Sequence, residues 1–200
     1  RLVGSEMCIR DSINRIPGKI QEYCYKRGMK ILDQLIPTNE LGFGKSFCPK
    51  MIISHYRDGA WTPCELSSNL DITLSSASKV FHYAQEVFEG LKAYKTDGGR
   101  IHMFRPQENI RRMTKSANLL AMPPFSEAEY LDALKRLCRE CKEFVPDSPG
   151  ALYLRPTMVG TSSHLGVAPA AEYLFFILAN PVGGYFGESF VDRPASIRIW

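Results

Sequence analysis

The stretch "ALYLRPTMVG", residues 151–160, decides how the chain is read. Leu152, Leu154, Met158 and Val159 are apolar, with Pro156 just past the middle, which reads as a buried strand. Arg155 is the misfit, because a buried guanidinium is costly unless it is paired and hydrogen-bonded. Tyr153 stands two residues earlier, so both side chains point to the same face of a strand. A phenol beside a guanidinium can grip a carboxylate with several donors. The alternative is an internal ion pair, or a strand-end arginine reaching water.

Around this strand the pattern is mixed. Residues 51–56 read as a strand and "RDGAW" after them as a turn. "LKAYKTDGGRIHMF" signals a hairpin around Asp97, Gly98 and Gly99. A helix follows, with Pro106 in its first turn. Its face is Ile110, Met113, Ala117, Leu120 and Ala121, and Pro123 and Pro124 end it. A second helix starts at Ser126, where Glu129 completes a capping box. Its apolar stripe is Leu131, Leu134, Cys138 and Cys141. "YLFFILA", residues 173–179, is another buried strand. Residues 19–35 fit a helix without an assigned role, broken by "IPTNELGFGKSF". Strands with two inserted helices predict an α+β domain with a largely antiparallel sheet and flanking helices.

The 200 residues are 44% apolar and 23% charged, enough for a sizeable core without a metal or disulfide staple. The formal charge of +4 is spread along the chain with no run of five basic residues, which argues against a nucleic-acid partner. No apolar run is long enough to span a bilayer. Of six cysteines only Cys138 and Cys141 form a C-x-x-C, with no second pair or matching histidines. No metal site is expected; the thiols are read as inert and partly buried, in a reducing compartment. "RLVGSEMCIRDS" at the start has no signal-peptide core and is read as partly foreign. "ASIRIW" at the end begins an alternating strand and stops, so the chain is expected to be a fragment.

Arg105, Arg111 and Arg112 crowd the start of the first helix, where the dipole favours anions. They fit either a bound anion such as a phosphate, or a solvated face with ion pairs to Glu108 or Glu127. Phe43, Tyr83, Phe88 and Tyr185 can line a pocket or serve as ordinary core. His82 and His164 show no metal spacing.

"HYAQEVFEGLKAYK", "FRPQENIRRM", "LYLRPTMVG", "SHLGV" and "NPVGGYF" follow in an order that resembles the branched-chain amino acid aminotransferases, pyridoxal-phosphate enzymes of fold type IV. The resemblance runs from about residue 42 onward and implies these roles. Arg112 binds the cofactor phosphate, and Arg105 does not. Tyr153 and Arg155 lie on the small-domain side of the substrate pocket. Arg155, with Tyr83, meets the side-chain carboxylate of glutamate or 2-oxoglutarate. Phe43, Phe88 and Tyr185 pack around the branched aliphatic chain. Leu165 and Val167 belong to a loop reaching the neighbouring subunit's pocket, which implies a homodimer. No catalytic residue is expected within the chain, because the lysine that holds the cofactor as a Schiff base is expected beyond Trp200; Lys92 and Lys95 are not substitutes.

The implied layout is an extension (1–41), a small domain (42–180), an interdomain linker (181–194) and the first strand of a large domain (195–200). The implied function is amino transfer between leucine, isoleucine or valine and 2-oxoglutarate, in the cytoplasm or mitochondrion. The alternatives are another fold-type-IV enzyme, such as a D-amino acid aminotransferase or aminodeoxychorismate lyase, or a non-catalytic anion-binding or dimerisation domain.

Overall fold

A computed structural model describes residues 29–184. Two units divide the chain between Lys30 and Ile31, and the sheet and helices below lie in the second. Residues 151–160 form the buried strand expected of them, and it lies inside the sheet. In chain order the strands of the eight-stranded sheet are β1 (Met51–Arg57), β2 (Ala60–Trp61), β3 (Glu65–Ser67), β4 (Glu86–Phe88), β5 (Leu91–Lys95), β6 (Ile101–Met103), β7 (Ala151–Gly160) and β8 (Tyr173–Val182). The helices are α1 (Lys79–Tyr83), α2 (Pro106–Leu119) and α3 (Glu127–Glu140). The order across the sheet is β2-β1-β8-β7-β5-β6, with β3 also on β1 and β4 also on β7. Every pairing is antiparallel.

Local chemistry accounts for the turns. Within "RDGAW" the turn is only Asp58–Gly59, both at positive φ, and Ala60 and Trp61 already pair back onto β1. Two left-handed residues in a two-residue loop match the twist of a hairpin. Pro156 sits inside β7 without breaking it. Its carbonyl accepts from the Glu89 N–H at 3.0 Å, opposite the break between β4 and β5. A strand residue's N–H and C=O point the same way, so the missing donor faces that break and costs no ladder bond.

The period of two sorts the sheet. Leu152, Leu154 and Met158 of β7, with Phe175 and Ile177 of β8, enter the core under α2 and α3. Phe125 stacks on Phe175 at 4.5 Å between centroids, and Trp61 and Tyr130 meet the pair edge-on. Tyr130 satisfies its buried hydroxyl by donating to Met113 Sδ, and Trp61 donates to the Pro124 carbonyl. Ser126 caps α3 by accepting from the Glu129 N–H. The reciprocal bond of a full capping box is not among those described.

Five expectations shift. Leu120 and Ala121 are exposed, because α2 stops at Leu119 and Ala121 turns left-handed; Met122 fills the core in their place. The stripe of α3 adds Tyr130, Ala133 and Leu137, while Leu131 is half-buried. Leu32 and Leu41 are buried and Leu32 joins the core cluster, so the packed domain begins before residue 42; residues 29–35 are not helical. Pro181 and Val182, expected to open the linker, pair with Leu152 and Ala151 in β8. The rest of residues 19–35, most of the linker, Tyr185 and residues 195–200 lie outside the described residues. Cys138 and Cys141 are fully rather than partly buried, at 5% and 0% exposure. Burial pushes the Cys138 thiol up to about 12. A hydrogen bond with Cys141, then burial, raises that of Cys48.

Candidate functional site

The odd-numbered side chains of β7 face away from the helices, and Tyr153 and Arg155 are among them. Tyr153 Oη accepts from Arg155 Nε at 3.2 Å and Nη2 at 2.8 Å. The guanidinium also lies over the Phe88 ring, 4.6 Å from its centroid. Among the described residues no carboxylate forms a salt bridge with Arg155. Its inner edge is held by a neutral phenol, which leaves the outer Nη edge with its charge uncompensated. An arginine held this way is suited to an incoming carboxylate.

Three consecutive residues support this arrangement. Phe88 flanks Arg155. Gly90 makes room for Tyr153: a Cβ there falls inside the hydroxyl and 2.9 Å from Cζ. Glu89, between them, receives Arg112 Nε and Nη2, both at 2.9 Å. Phe43 meets the Tyr153 ring edge-on at 4.8 Å. Its loop is tied down by Asn180, 3% exposed, whose Oδ1 accepts from the Gly44 N–H and whose amide donates to the Ser46 carbonyl. A cavity of about 250 Å³ opens beside Phe43, lined by Leu41, Gly42, Lys92 and Val182 to Gly184.

The three arginines at the start of α2, Arg105 as its N-cap and Arg111 and Arg112 within it, divide. Arg105 and Arg111 both pair with Glu108, at 3.3 and 2.7 Å, as a solvated face does. Arg112 reaches across to Glu89, and that hydrogen bond, then the carboxylate's charge, holds its guanidinium above the usual range. It therefore stays cationic at any working pH.

Tyr83 is not brought to Arg155. Its hydroxyl donates to the Leu165 carbonyl, and Lys79 Nζ lies 4.9 Å from its ring centroid. The register explains this. Glu86 pairs with Val159 and Phe88 with Thr157, so Tyr83, three residues before Glu86, lies past the end of β7. At roughly 3.3 Å per residue, Arg155 and Gly160 are already about 17 Å apart along the strand. Lys79, fully buried, donates to the Gly166 carbonyl. Leu165 and Val167 are 59% and 92% exposed, and Phe81 on α1 is 62% exposed.

Glu89, Gly90, Asn180 and Lys79 escaped the sequence reading as residues with a part in the site. Glu89 and Gly90 stood inside a quoted motif and carried a signal. Asn180 also opened one, "NPVGGYF", but its partners, 134 to 136 residues away, did not show there; Lys79, whose partner is 87 residues away, had no signal.

The curled antiparallel sheet, with its tyrosine–arginine pair on one face, is the α+β small-domain fold of the fold-type-IV aminotransferases. The structure of Escherichia coli branched-chain amino acid aminotransferase matches with a TM-score of 0.54 at 26% identity, over 69% of this chain and 42% of that one. A second branched-chain amino acid aminotransferase structure, solved with pyridoxamine 5′-phosphate, matches at 0.52 and 30%, over 69% and 42%. In sequence, Bacillus subtilis branched-chain-amino-acid transaminase 1 is 41% identical over 164 residues, 81% of this chain and 45% of the relative. The chain is thus homologous to the branched-chain-amino-acid aminotransferases and spans about half the length of the curated relatives it matches. No protein-family model matches it. No helix among the described residues is long and apolar enough to cross a membrane.

Proposed function

We propose that the chain is the small-domain half of a homodimeric, pyridoxal-phosphate-dependent branched-chain-amino-acid transaminase. The observation that carries this is the pair of edge-held arginines beside residues 88–90. Arg155 rests on a neutral oxygen and Arg112 on a carboxylate, and each keeps its outer Nη edge for an external anion.

The residues fit the cofactor. Arg112 is 59% exposed, and among the described residues nothing meets its Nη1. A phosphate dianion matches that outer edge in charge and in fork geometry. When bound, pyridoxal phosphate supplies the carbonyl that takes up the amino group and the electron sink at the substrate α-carbon.

The chain's own residues then bind and sort substrates. Phe43, Phe88 and the Tyr153 ring bury a branched aliphatic chain and exclude water from it. With glutamate or 2-oxoglutarate, Arg155 receives the side-chain carboxylate. With leucine, the guanidinium keeps the Tyr153 oxygen and the Phe88 face, so no buried charge loses its last partner. One pocket serves both substrates because the internal partners of Arg155 are neutral and persist in either case.

The exposed Tyr83 and the exposed Leu165 and Val167 of the loop it bonds support a dimer. Tyr83 bonds the loop of Leu165 and Val167 rather than Arg155, so it belongs with that loop and reaches the neighbour's pocket. The test is amino transfer from leucine, isoleucine and valine to 2-oxoglutarate by the full-length homodimer. Arg112→Ala should weaken cofactor affinity by roughly tenfold to a hundredfold, from one lost charged partner. Full cofactor retention after dialysis of that variant argues against the reading.

A further inference from the structure

Glu89 is the most heavily engaged carboxylate among the described residues. Its Oε1 accepts from Arg112 Nε, and its Oε2 from Arg112 Nη2 at 2.9 Å, Asn109 Nδ2 at 3.0 Å and its neighbour Gly90 N–H at 3.3 Å. The backbone is held too, because the Glu89 N–H donates to the Pro156 carbonyl. The side chain is 14% exposed, against 59% for Arg112. Asn109 and Arg112 are three residues apart on α2, so one helix face supplies both donors.

A carboxylate beside a phosphate-binding arginine can act in two opposed ways. As a competitor it occupies the guanidinium and weakens phosphate binding by charge. As a brace it consumes the inner edge, fixes the side chain in one rotamer and leaves only the outer edge to the ligand. A free arginine loses that rotamer freedom when the phosphate arrives, which weakens binding.

We propose that Glu89 is a positioning residue for the phosphate group, acting through Arg112 with Asn109 as its second anchor. The inference rests on the reading of Arg112 as the phosphate ligand. Two observations favour the brace. Glu89 is bound by Asn109 of α2 and by the Gly90 N–H as well, so swinging aside to surrender the arginine would break those bonds too. It also takes the Nε edge, which is the edge the phosphate does not need. A competitor would sit across the two terminal nitrogens.

The experiment uses the full-length apoenzyme. Pyridoxamine 5′-phosphate and pyridoxamine are titrated separately, following quenching of protein fluorescence. In Glu89→Gln the affinity for the phosphorylated compound should fall about tenfold, and that for pyridoxamine should stay unchanged, because only the phosphate meets Arg112. Asn109→Ala should show the same selectivity with a loss of about threefold, and serves should Glu89→Gln fail to fold. Tighter binding of the phosphorylated compound identifies a competitor and overturns the proposal. Equal losses for both compounds mark damage to the fold and overturn it equally, as does no change. Arg112→Ala separates this from the underlying reading. If that variant leaves the ratio of the two affinities intact, the phosphate assignment itself is wrong. If it collapses the ratio and Glu89→Gln does not, only the brace fails.

Discussion

Replacing Arg155 by methionine in the full-length enzyme tests whether its charge exists for an external carboxylate. Methionine keeps much of the apolar stem against Phe88 and removes the guanidinium. Internally the change frees Tyr153 Oη of two donors, at 3.2 and 2.8 Å. Phe88, 57% exposed, loses a cation over its face at 4.6 Å. Water reaches this surface, so the internal loss is small and common to all substrates. The glutamate half-reaction additionally loses a charge-assisted hydrogen bond, about 1.5–3 kcal/mol where the pair is dry. Arg155 is only half-buried, which places the effect at the lower end. The kcat/KM for glutamate should therefore fall by on the order of tenfold, and no more than about a hundredfold, at roughly 1.4 kcal/mol per factor of ten. The value for leucine should change by less than about threefold, because leucine makes no such bond. Single-turnover kinetics with each amino acid measure the two half-reactions separately. Equal falls for leucine and glutamate refute the reasoning, and return Arg155 to the role of a structural arginine.

Gly90→Ala should force the Tyr153 ring to swing away about χ1, because the new Cβ falls inside the hydroxyl and 2.9 Å from Cζ, both of which lie on the ring's own rotation axis. Arg155 then loses its acceptor, and glutamate kcat/KM should drop roughly threefold to tenfold, for a neutral acceptor worth about 0.5–1.5 kcal/mol; unchanged glutamate kinetics count against the arrangement. Asn180→Ala leaves the Gly44 N–H and the Ser46 carbonyl without their partner. Urea unfolding should show a loss of about 1–3 kcal/mol, with KM for leucine raised through the loosened Phe43 loop. The Cys138 thiol, raised by burial to about 12 from an ordinary 9.0, keeps its proton in the native state while the unfolded chain releases it from about pH 9. Its contribution is therefore whole below that pH and is lost as pH rises toward 12. Between pH 9 and pH 10 the fold should lose about 1 kcal/mol on account of this one thiol, and Cys138→Ala should flatten the decline in urea melts. A decline equally steep in the variant assigns it to other groups.

Much of this domain was legible in its sequence because the relevant chemistry is local. A period of two places Tyr153 and Arg155 on one face whatever the strand pairs with, and Asp58–Gly59 turns a hairpin through its own backbone preference. Pro106 and Ser126 begin helices by satisfying, or not needing, backbone donors within a single turn. The family resemblance rested on such short stretches taken in order.

Tertiary structure alone decided which arginine leaves the helix face for a distant carboxylate, and which tyrosine stands beside which loop. Arg105, Arg111 and Arg112 look alike along α2, yet only Arg112 faces the Glu89 carboxylate 23 residues away. Tyr83 falls beyond the end of β7 because of how β4 registers against it, a relation no local pattern encodes. Asn180 fastens a loop 136 residues distant. Side-chain type and spacing determine what a residue can bond and on which face it stands. The partner it finds depends on strand register and on how α2 lies across the sheet, which the packing of the whole core sets.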